Sequence, residues 1–384
     1  MNAWRALALA CVLWPWGPGP ARAAAPPATG LLAISADEQA RILAHGPWPP
    51  PPAGDAANPV QGRSDAVALG RALFAERGLS ASGRQACASC HDPARDFQDG
   101  RRFTRHGRNT PGLLDVAQQR WFAWDGAQDS LWAASLAPMT AAEELAATPA
   151  GALALLQRKP ALAAGYRRLF GAPVADAALL VNLARVLAAY QATLASPRTA
   201  FDDFRDALAS GDAAAAARYP LAAQRGLQFF VGTGRCFFCH SGARFSNGEF
   251  ADIGRPFFTA GGADPGRWGG LAQLLASPYN RLGSVPGAAA DVQRNAVTRH
   301  VLQQPKNFGE FRVPGLRGLV TTAPYFHDGS AATLAEVVRH YSEIDTRRLH
   351  VDGERILQPL RLAPDQVDDL VAFLRTLSSP APRR

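Results

Sequence analysis

The chain has 384 residues, which is long enough for two domains, and its hydrophobic fraction of 47% is typical of a globular protein. Its formal net charge is +8, and removal of Arg5 and Arg22 with an N-terminal leader would lower that charge by two. So mild an excess of positive charge argues against a protein that binds nucleic acid.

The first 23 residues have the pattern of a secretory signal peptide. A lone early Arg is followed by an apolar stretch and by a small-x-small ending at Ala21 to Ala23. We expect cleavage after Ala23, which would remove Cys11 and leave the mature protein in the periplasm; lipid attachment at Cys11 is the alternative. No later stretch is apolar enough to cross a bilayer, so we expect no membrane-spanning segment.

Apolar residues recur with helical periodicity along most of the mature chain, and no strand-like alternation of comparable length is present. A Pro-rich segment at 46–59 is expected to be extended, and a Gly/Pro-rich stretch at 254–290 is expected to be a long loop that covers a cofactor or meets a partner. The predicted helices span residues 64–76, 128–137, 148–170, 174–195, 199–209, 219–231, 330–343 and 363–377. These patterns predict an all-α fold with long loops and few short strands.

Two short motifs carry the chemistry: CASCH at residues 87–91 and CFFCH at residues 236–240. Two thiols at this spacing form thioethers to the vinyl groups of a haem, and the adjacent His becomes the proximal iron ligand. A redox disulfide and half of a zinc site are the competing interpretations, but both copies end in His and no zinc-type partner pair lies nearby. We therefore predict two covalent haems, held by Cys87, Cys90, His91, Cys236, Cys239 and His240.

Each CxxCH follows a helix and a short Gly-containing loop, which suggests two copies of one small haem domain. The fold is therefore predicted to contain two cytochrome c-like haem domains, one at 24–215 and one at 216–384. The axial ligands cannot both be methionine. The chain has only Met1 and Met139, and Met1 is lost with the leader.

Several longer motifs accompany the two CxxCH sequences, namely GRNTPGLLDV, WFAWDGAQDSL, APMTAAEEL and VPGLRGLVTTAPYFHDGSAATLAEVVRHY. Together they resemble the bacterial di-haem cytochrome c peroxidase family, including its MauG-type branch, over nearly the whole mature chain. The resemblance implies that the His91 haem reacts with hydrogen peroxide and that the His240 haem stores and relays electrons. The N-terminal domain would then be peroxidatic and the C-terminal one would transfer electrons.

The resemblance also implies a distal ligand for the second haem. The family's Met position, counted from His327 of PYFHDG, is Tyr341 in this chain. A Tyr there resembles the MauG-type branch, in which a phenolate lowers the haem potential and favours high-valent iron. His340 is the rival ligand, and a buried helix residue with a satisfied hydroxyl is the alternative role for Tyr341.

On the peroxide side, the resemblance implies that Pro138 and Glu144 line the distal pocket, with Glu144 moving a proton between the peroxide oxygens and Glu143 as second choice. Ala134 replaces a Gln that many relatives carry, which implies a roomier pocket. Met139 is expected either near the first haem or as core packing.

The remaining family features concern the region between the haems. Trp124 of the WDG motif would mediate electron transfer, whereas Trp121 is expected to be core packing. A calcium ion at the domain junction would be held by the Asn109 side chain and by the carbonyls of Thr322 and Pro324; ordinary Pro-directed turns are the alternative. His106 matches a distal His of relatives poorly and is expected to be a loop residue.

These expectations combine into a periplasmic di-haem oxidoreductase that uses hydrogen peroxide and oxidises a Trp or Tyr of a partner protein through high-valent haem. A peroxide-scavenging peroxidase fed by a small cytochrome c is the alternative within the class. A non-catalytic di-haem electron carrier is the alternative outside it.

Overall fold

A computed structural model describes residues 30–51, 54–102, 107–255, 258–259, 262–285, 292–353 and 356–379. Its α-helices are α1 (Ala36–Leu43), α2 (Ser64–Phe74), α3 (Leu131–Thr140), α4 (Pro149–Arg158), α5 (Pro160–Phe170), α6 (Ala177–Gln191), α7 (Ala200–Ser210), α8 (Ala213–Ala216), α9 (Leu221–Val231), α10 (Arg267–Ala276), α11 (Val292–His300), α12 (Leu334–Ser342) and α13 (Pro364–Arg375). Two antiparallel strand pairs accompany them, Phe250–Ala251 with Phe311–Arg312 and Phe258–Thr259 with Gly262–Ala263. The predicted all-α fold with few short strands is confirmed.

The helix prediction was wrong in several details, and it also lacked α8 and α11. The predicted helix 148–170 is two helices, because Pro160 excludes Lys159 from helical geometry and a new helix starts there. Helix α10 lies inside the stretch predicted to be a long loop. Helix α1 was not predicted, although Ser35 and Glu38 form a capping box at its start.

The predicted leader at residues 1–23, with Cys11, lies outside the described residues, and so does His106. Within the described ranges, no helix combines the length and the apolar character needed to cross a membrane.

Buried side chains form two main cores. The first contains residues of α2 to α6, and the second contains residues of α1, α7, α9, α12 and α13. The helices of each core, together with the CxxCH motif next to them, are called the first unit and the second unit below. A division of the chain at residue 215 stays a prediction, and side chains from α1 and α7, which precede that point, pack in the second core.

Each core is built on a closely packed helix pair that contains one essential glycine. A Cβ atom on Gly70 of α2 would lie 2.0 Å from the carbonyl oxygen of Val186 in α6, and one on Gly226 of α9 would lie 2.1 Å from that of Asp369 in α13. Only glycine allows backbones to approach so closely. The two pairs, α2 with α6 and α9 with α13, are therefore equivalent.

Residues 262–285 and 292–310 extend from the second unit onto the first. Arg108 donates two hydrogen bonds to Asp264 and one to Asp125. Arg281 donates to Asp55 and to the carbonyl of Asp129, and all three residues are buried. This segment, called the bridging segment below, fastens the two units together.

Candidate functional site

The first CxxCH motif follows α2 and forms a short 3-10 helix at Cys87–Ser89. The amide of His91 donates to the carbonyl of Cys87 at 2.9 Å, which places both thiols and the imidazole on one turn. The Nδ1 atom of His91 lies 3.1 Å from the carbonyl oxygen of Phe97. With Nδ1 donating to that carbonyl, Nε2 is left as the atom that can bind a metal.

The second motif repeats this arrangement. A 3-10 helix spans Cys236–Phe238, the His240 amide donates to Cys236 at 2.9 Å, and Nδ1 of His240 lies 2.9 Å from the carbonyl oxygen of Phe245. Phe97 and Phe245 both have a left-handed backbone, with φ of 62° and 56°. That unusual conformation for a bulky residue turns each carbonyl toward its His.

The aromatic surroundings of the two histidines also match. The ring of Phe74 lies 6.5 Å from that of His91, and the ring of Phe230 lies 6.5 Å from that of His240, at tilts of 42° and 45°. Both His sites therefore have the same apolar wall, supplied by the last turn of α2 or α9.

The donor set fits covalently attached haem. All four motif cysteines are free thiols, and within the described ranges no cluster of three or more His, Cys, Asp and Glu residues could hold a metal ion. Burial raises the pKa of the Cys87 and Cys236 thiols to about 12, so neither resembles a reactive redox thiolate. The geometry therefore favours haem attachment over a redox disulfide or a zinc site.

The resemblance between the units continues far beyond the motifs. Residues 109–140 match residues 312–343 in register without a gap, so that Pro111 aligns with Pro314. The match includes the left-handed residues Ala123 and Phe326, and the bridges Phe122 to Gln128 and Tyr325 to Ala331. Helix α3 thus corresponds to α12.

Corresponding residues contact each other where the two units meet. The amide of Asn109 donates to the carbonyl of His327 at 2.6 Å, and the amide of Arg312, its counterpart, donates to the carbonyl of Trp124 at 2.8 Å. Trp124 and His327 are themselves counterparts, and their rings lie 6.5 Å apart. The junction therefore has approximate two-fold symmetry, and Trp124 lies on it.

Trp124 is held by both units. Its indole Nε1 donates to the carbonyl of Asn109 at 2.8 Å, and its own carbonyl accepts from Arg312. Trp121, in contrast, is 3% exposed and packs in a small cluster with Leu271 and Leu274, so it is a packing residue as expected.

The register pairs Pro138 of α3 with Tyr341 of α12. Burial raises the pKa of the Tyr341 phenol well above its ordinary value, and the nearby charges of Cys236 and Cys239 add to the increase. Tyr341 is therefore close to the second motif. Pro138, in the same place in the first unit, carries no ligating atom in its side chain.

His340, the rival ligand, is directed elsewhere. Its Nε2 lies 2.7 Å from the carbonyl oxygen of Ile253, and its ring packs against Phe326 at 5.1 Å. A His nitrogen engaged by a carbonyl in this way is a donor and is not available to iron. The geometry therefore favours Tyr341.

Glu144 lies close to the first motif. Burial is the main cause of the raised pKa of Cys87 and Cys90, and the negative charge of Glu144 adds to it at both thiols. Glu143 and Glu144 are both exposed, but Glu143 has no such influence on the two thiols. Of the two carboxylates, Glu144 is the one beside the first site.

The other residues of this helix divide between core and pocket. Ala134 and Pro138 are half-buried and one turn apart, so they share a face of α3. Met139 is completely buried in the first core, which supports its role as packing. Ala134 leaves that face without the amide group found in relatives with Gln.

Two arginines near the second site, buried Arg312 and half-buried Arg244, were not predicted from the sequence. Arg312 is 6% exposed, its Nε donates to the carbonyl of Ala123, and burial lowers its pKa to about 9. Burial also lowers the pKa of Arg244, whose charge is felt at Arg312. Neither forms an ion pair with a carboxylate within the described ranges. The only sequence signal for these arginines was that Arg244 and Arg312 occupy the positions that Asp96 and Asn109 occupy in the first unit.

The predicted calcium residues lie partly together. The Nδ2 atom of Asn109 lies 2.5 Å from the carbonyl oxygen of Pro324, and its Oδ1 accepts from Gln98. Thr322 lies on the same turn, two residues before Pro324. The donors are neutral oxygens, which suit calcium, but the Asn109 amide would have to present its oxygen to the ion.

Comparisons with known proteins agree with this geometry. A family model described as di-haem cytochrome c peroxidase matches residues 64–210. The methylamine utilization protein MauG of Methylorubrum extorquens is 33% identical over 84% of this chain and 80% of its own. The cytochrome-c peroxidase IdrP1 of Denitromonas iodatirespirans is 32% identical over 83% of each chain. The diheme peroxidase BthA of Burkholderia thailandensis, 22% identical, has the same fold, with a TM-score of 0.62 over 82% of this chain and 86% of its own.

Proposed function

The chain belongs to the di-haem cytochrome c peroxidase family, and from that premise we propose that it reduces hydrogen peroxide at the His91 site with electrons delivered through the His240 site. Membership implies two c-type haems and an oxidoreductase. The division of labour between the sites is our proposal, and the pairing of Pro138 with Tyr341 is the observation that carries it.

Haem, when bound, supplies an iron that exchanges electrons with peroxide. The chain supplies the rest. His91 and His240 would each bind a haem iron through Nε2, and the carbonyls of Phe97 and Phe245 hold each ring in place. Arg312 is buried and Arg244 is half-buried, and neither forms an ion pair with a carboxylate within the described ranges, so their guanidinium groups would suit the propionates of the second haem.

At the first site Pro138 supplies no ligating atom, so peroxide could reach the iron, and Glu144 would move a proton from the near to the far peroxide oxygen so that water can leave. At the second site the Tyr341 phenol would hold the haem iron, as in the MauG-type branch. A phenolate lowers the reduction potential, so this site would readily give up electrons to the first site.

Trp124 carries electrons between the sites. Its position on the two-fold junction, bonded to Asn109 on one side and to Arg312 on the other, supports this role. A calcium ion bound by Asn109, Thr322 and Pro324 would stiffen the same junction, because all three belong to segments that meet there.

The electrons come from a partner protein. MauG-like ligation by Tyr341 favours oxidation of a Trp or Tyr of that partner, and export through the leader places the reaction in the periplasm. A scavenging peroxidase fed by a small cytochrome c is the second candidate, favoured by the likeness to IdrP1, which is named a cytochrome-c peroxidase.

The proton-transfer step is tested by comparing Glu144→Gln with Glu143→Gln in the di-haem protein. Rapid mixing with hydrogen peroxide measures the rate of the first spectral change. We expect Glu144→Gln to slow it by about 10²–10⁴-fold, because the amide cannot take up the proton, and Glu143→Gln to leave it unchanged. Equal rates in wild type and Glu144→Gln would refute the role of Glu144.

Turnover measurements with hydrogen peroxide distinguish the two candidate functions. Rapid steady oxidation of a reduced small cytochrome c by peroxide supports scavenging. Slow turnover of that cytochrome, together with peroxide-dependent oxidation of Trp or Tyr in an added protein, supports the MauG-like function.

A further inference from the structure

The bridging segment exposes large apolar side chains on its outer side. Trp268 is 40% exposed, Leu275 is 47% exposed and Leu302 is 68% exposed. Trp268 and Leu275 are seven residues apart on α10, so they share a helix face. Several large apolar side chains exposed on one segment are unusual in a monomer and typical of a surface that meets another protein.

These side chains form one surface. The side-chain amide of Gln303, next to Leu302, donates to the carbonyl of Trp268 at 2.8 Å, and the rings of Trp268 and Phe308 lie 6.4 Å apart. Arg299 is exposed at the end of α11, a few residues before Gln303. We call Trp268, Leu275, Arg299, Leu302 and Gln303 the outer face.

The surrounding charge is positive. Of the basic residues in the bridging segment, Arg267 and Arg281 are buried, whereas Arg299 is exposed and Arg294 and Lys306 are half-buried. Among its described acidic residues, Asp264 pairs with Arg108 and Glu310 is half-buried. Accessible basic side chains therefore outnumber accessible carboxylates on the described part of this segment. An acidic surface on a partner complements this charge and would be steered toward it.

The buried side of α10 contacts the loop that carries Trp124, the tryptophan between the two sites. The inner side of α10 packs Leu271 and Leu274 against Trp121, and the Arg267 guanidinium lies 4.4 Å from the centre of the Trp121 ring. Trp121 begins the same loop that carries Trp124. Because Arg267 contacts the Trp121 ring and consecutive helix residues are about 100° apart, Trp268 lies on the side of α10 next to the one that faces Trp121.

We propose that the outer face docks an acidic protein whose surface Tyr or Trp is oxidised, and that Trp268 passes the electrons inward. This rests on the proposed function. For a tyrosine partner, one hydrogen peroxide takes two electrons and two protons from two phenols and leaves as two waters. The two phenoxyl radicals then couple through a carbon–carbon bond to give dityrosine.

The test uses the di-haem protein, hydrogen peroxide and two short peptides, each with one central tyrosine, flanked by glutamates in one and by lysines in the other. Dityrosine fluorescence measures the rate, and guaiacol, a small neutral phenol, reports peroxidase activity that needs no docking. We expect the acidic peptide to have the higher kcat/KM by about tenfold, with the preference shrinking as salt is raised.

Two variants and a control then locate the surface. Arg299→Glu should raise KM for the acidic peptide, and Trp268→Phe, which keeps the apolar contact but is harder to oxidise, should lower kcat. Arg168→Glu makes the same charge change on an exposed residue of α5, a helix of the first unit. It should leave the ratio of acidic-peptide to guaiacol activity unchanged.

The outcomes are distinct. If guaiacol is not oxidised by the wild type, the proposed function fails. If guaiacol is oxidised but the acidic peptide has no advantage, or Arg168→Glu acts like Arg299→Glu, the docking proposal fails alone. If Arg299→Glu converts a dimer into a monomer by light scattering, the outer face joins two copies of the chain and the proposal is overturned.

Discussion

Residues 109–140 and 312–343 follow the same backbone path but place different side chains along it. The pairs Asn109 with Arg312, Trp124 with His327 and Pro138 with Tyr341 all lie around the two motif histidines or at the junction between them. The parts that hold a haem are duplicated, and the parts that set its chemistry are not. Function in this chain is therefore decided by a few side chains on a repeated scaffold.

The largest expected effect comes from removing the difference between Pro138 and Tyr341. Pro138→Met should bring a ligating sulfur to the first site, because position 138 corresponds to that of Tyr341. We expect loss of the high-spin signal and of the fast reaction with peroxide. Pro138→Ala, which offers no ligand, is the control; a Met variant that reacts like it would contradict the register.

The converse change opens the second site. Tyr341→Phe should alter the absorption and paramagnetic spectra of the second haem, because the phenyl ring cannot bind iron. His340→Phe should leave those spectra unchanged and remove only the hydrogen bond to Ile253, which costs about 0.5–1.5 kcal/mol in the free energy of unfolding. If the His340 variant alone changed the spectra, the assignment of the ligand would be reversed.

Acid should destabilise the second unit through His45. This residue is 2% exposed, and its ring stacks on that of Phe245 with 4.4 Å between the ring centres. Its Nδ1 atom lies 3.1 Å from the carbonyl oxygen of Gly242. Burial lowers the pKa of His45 from 6.5 to about 4. Between those values the unfolded chain binds a proton that the folded protein does not, so the free energy of unfolding falls as pH falls, by about 3 kcal/mol over the window.

His45→Gln lacks that titration and should show a shallower loss of stability between pH 6.5 and 4. Urea unfolding at several pH values in this range measures the slope. Identical slopes in the variant and the wild type would exclude His45 as a source of acid sensitivity.

The last prediction concerns what the two units share. Gly70→Ala and Gly226→Ala both place a Cβ about 2 Å from a carbonyl oxygen of the facing helix, and each should cost about 1–3 kcal/mol in the free energy of unfolding. Gly54→Ala, where a Cβ would meet nothing within 4 Å, is the matched control. Thermal unfolding measures all three, and unequal costs at Gly70 and Gly226 would weaken the claim that the scaffolds are equivalent.

The sequence was sufficient for the features that have a local signal. The spacing of CxxCH predicted the thiols and His91 and His240, and helical periodicity predicted most helices. The choice of Tyr341 over His340 required a family resemblance, because neighbouring residues on a helix cannot be ranked until the helix is placed against its surroundings.

The features that were missed depend on contacts between distant segments. Arg244 and Arg312 are ordinary in sequence, and only their complete or partial burial without an ion pair distinguishes them. Helix α10 was hidden by the Gly and Pro residues around it, and it is stabilised by packing on Trp121, far away in the chain. The two-fold junction became visible only when both units were seen together.

The most direct test of the asymmetry is electron paramagnetic resonance of the resting, oxidised protein, which counts high-spin and low-spin ferric iron in one spectrum. An open first site opposite Pro138 and a second site closed by Tyr341 predict one high-spin and one low-spin haem in equal amounts. Two low-spin signals, or two high-spin signals, would contradict the account.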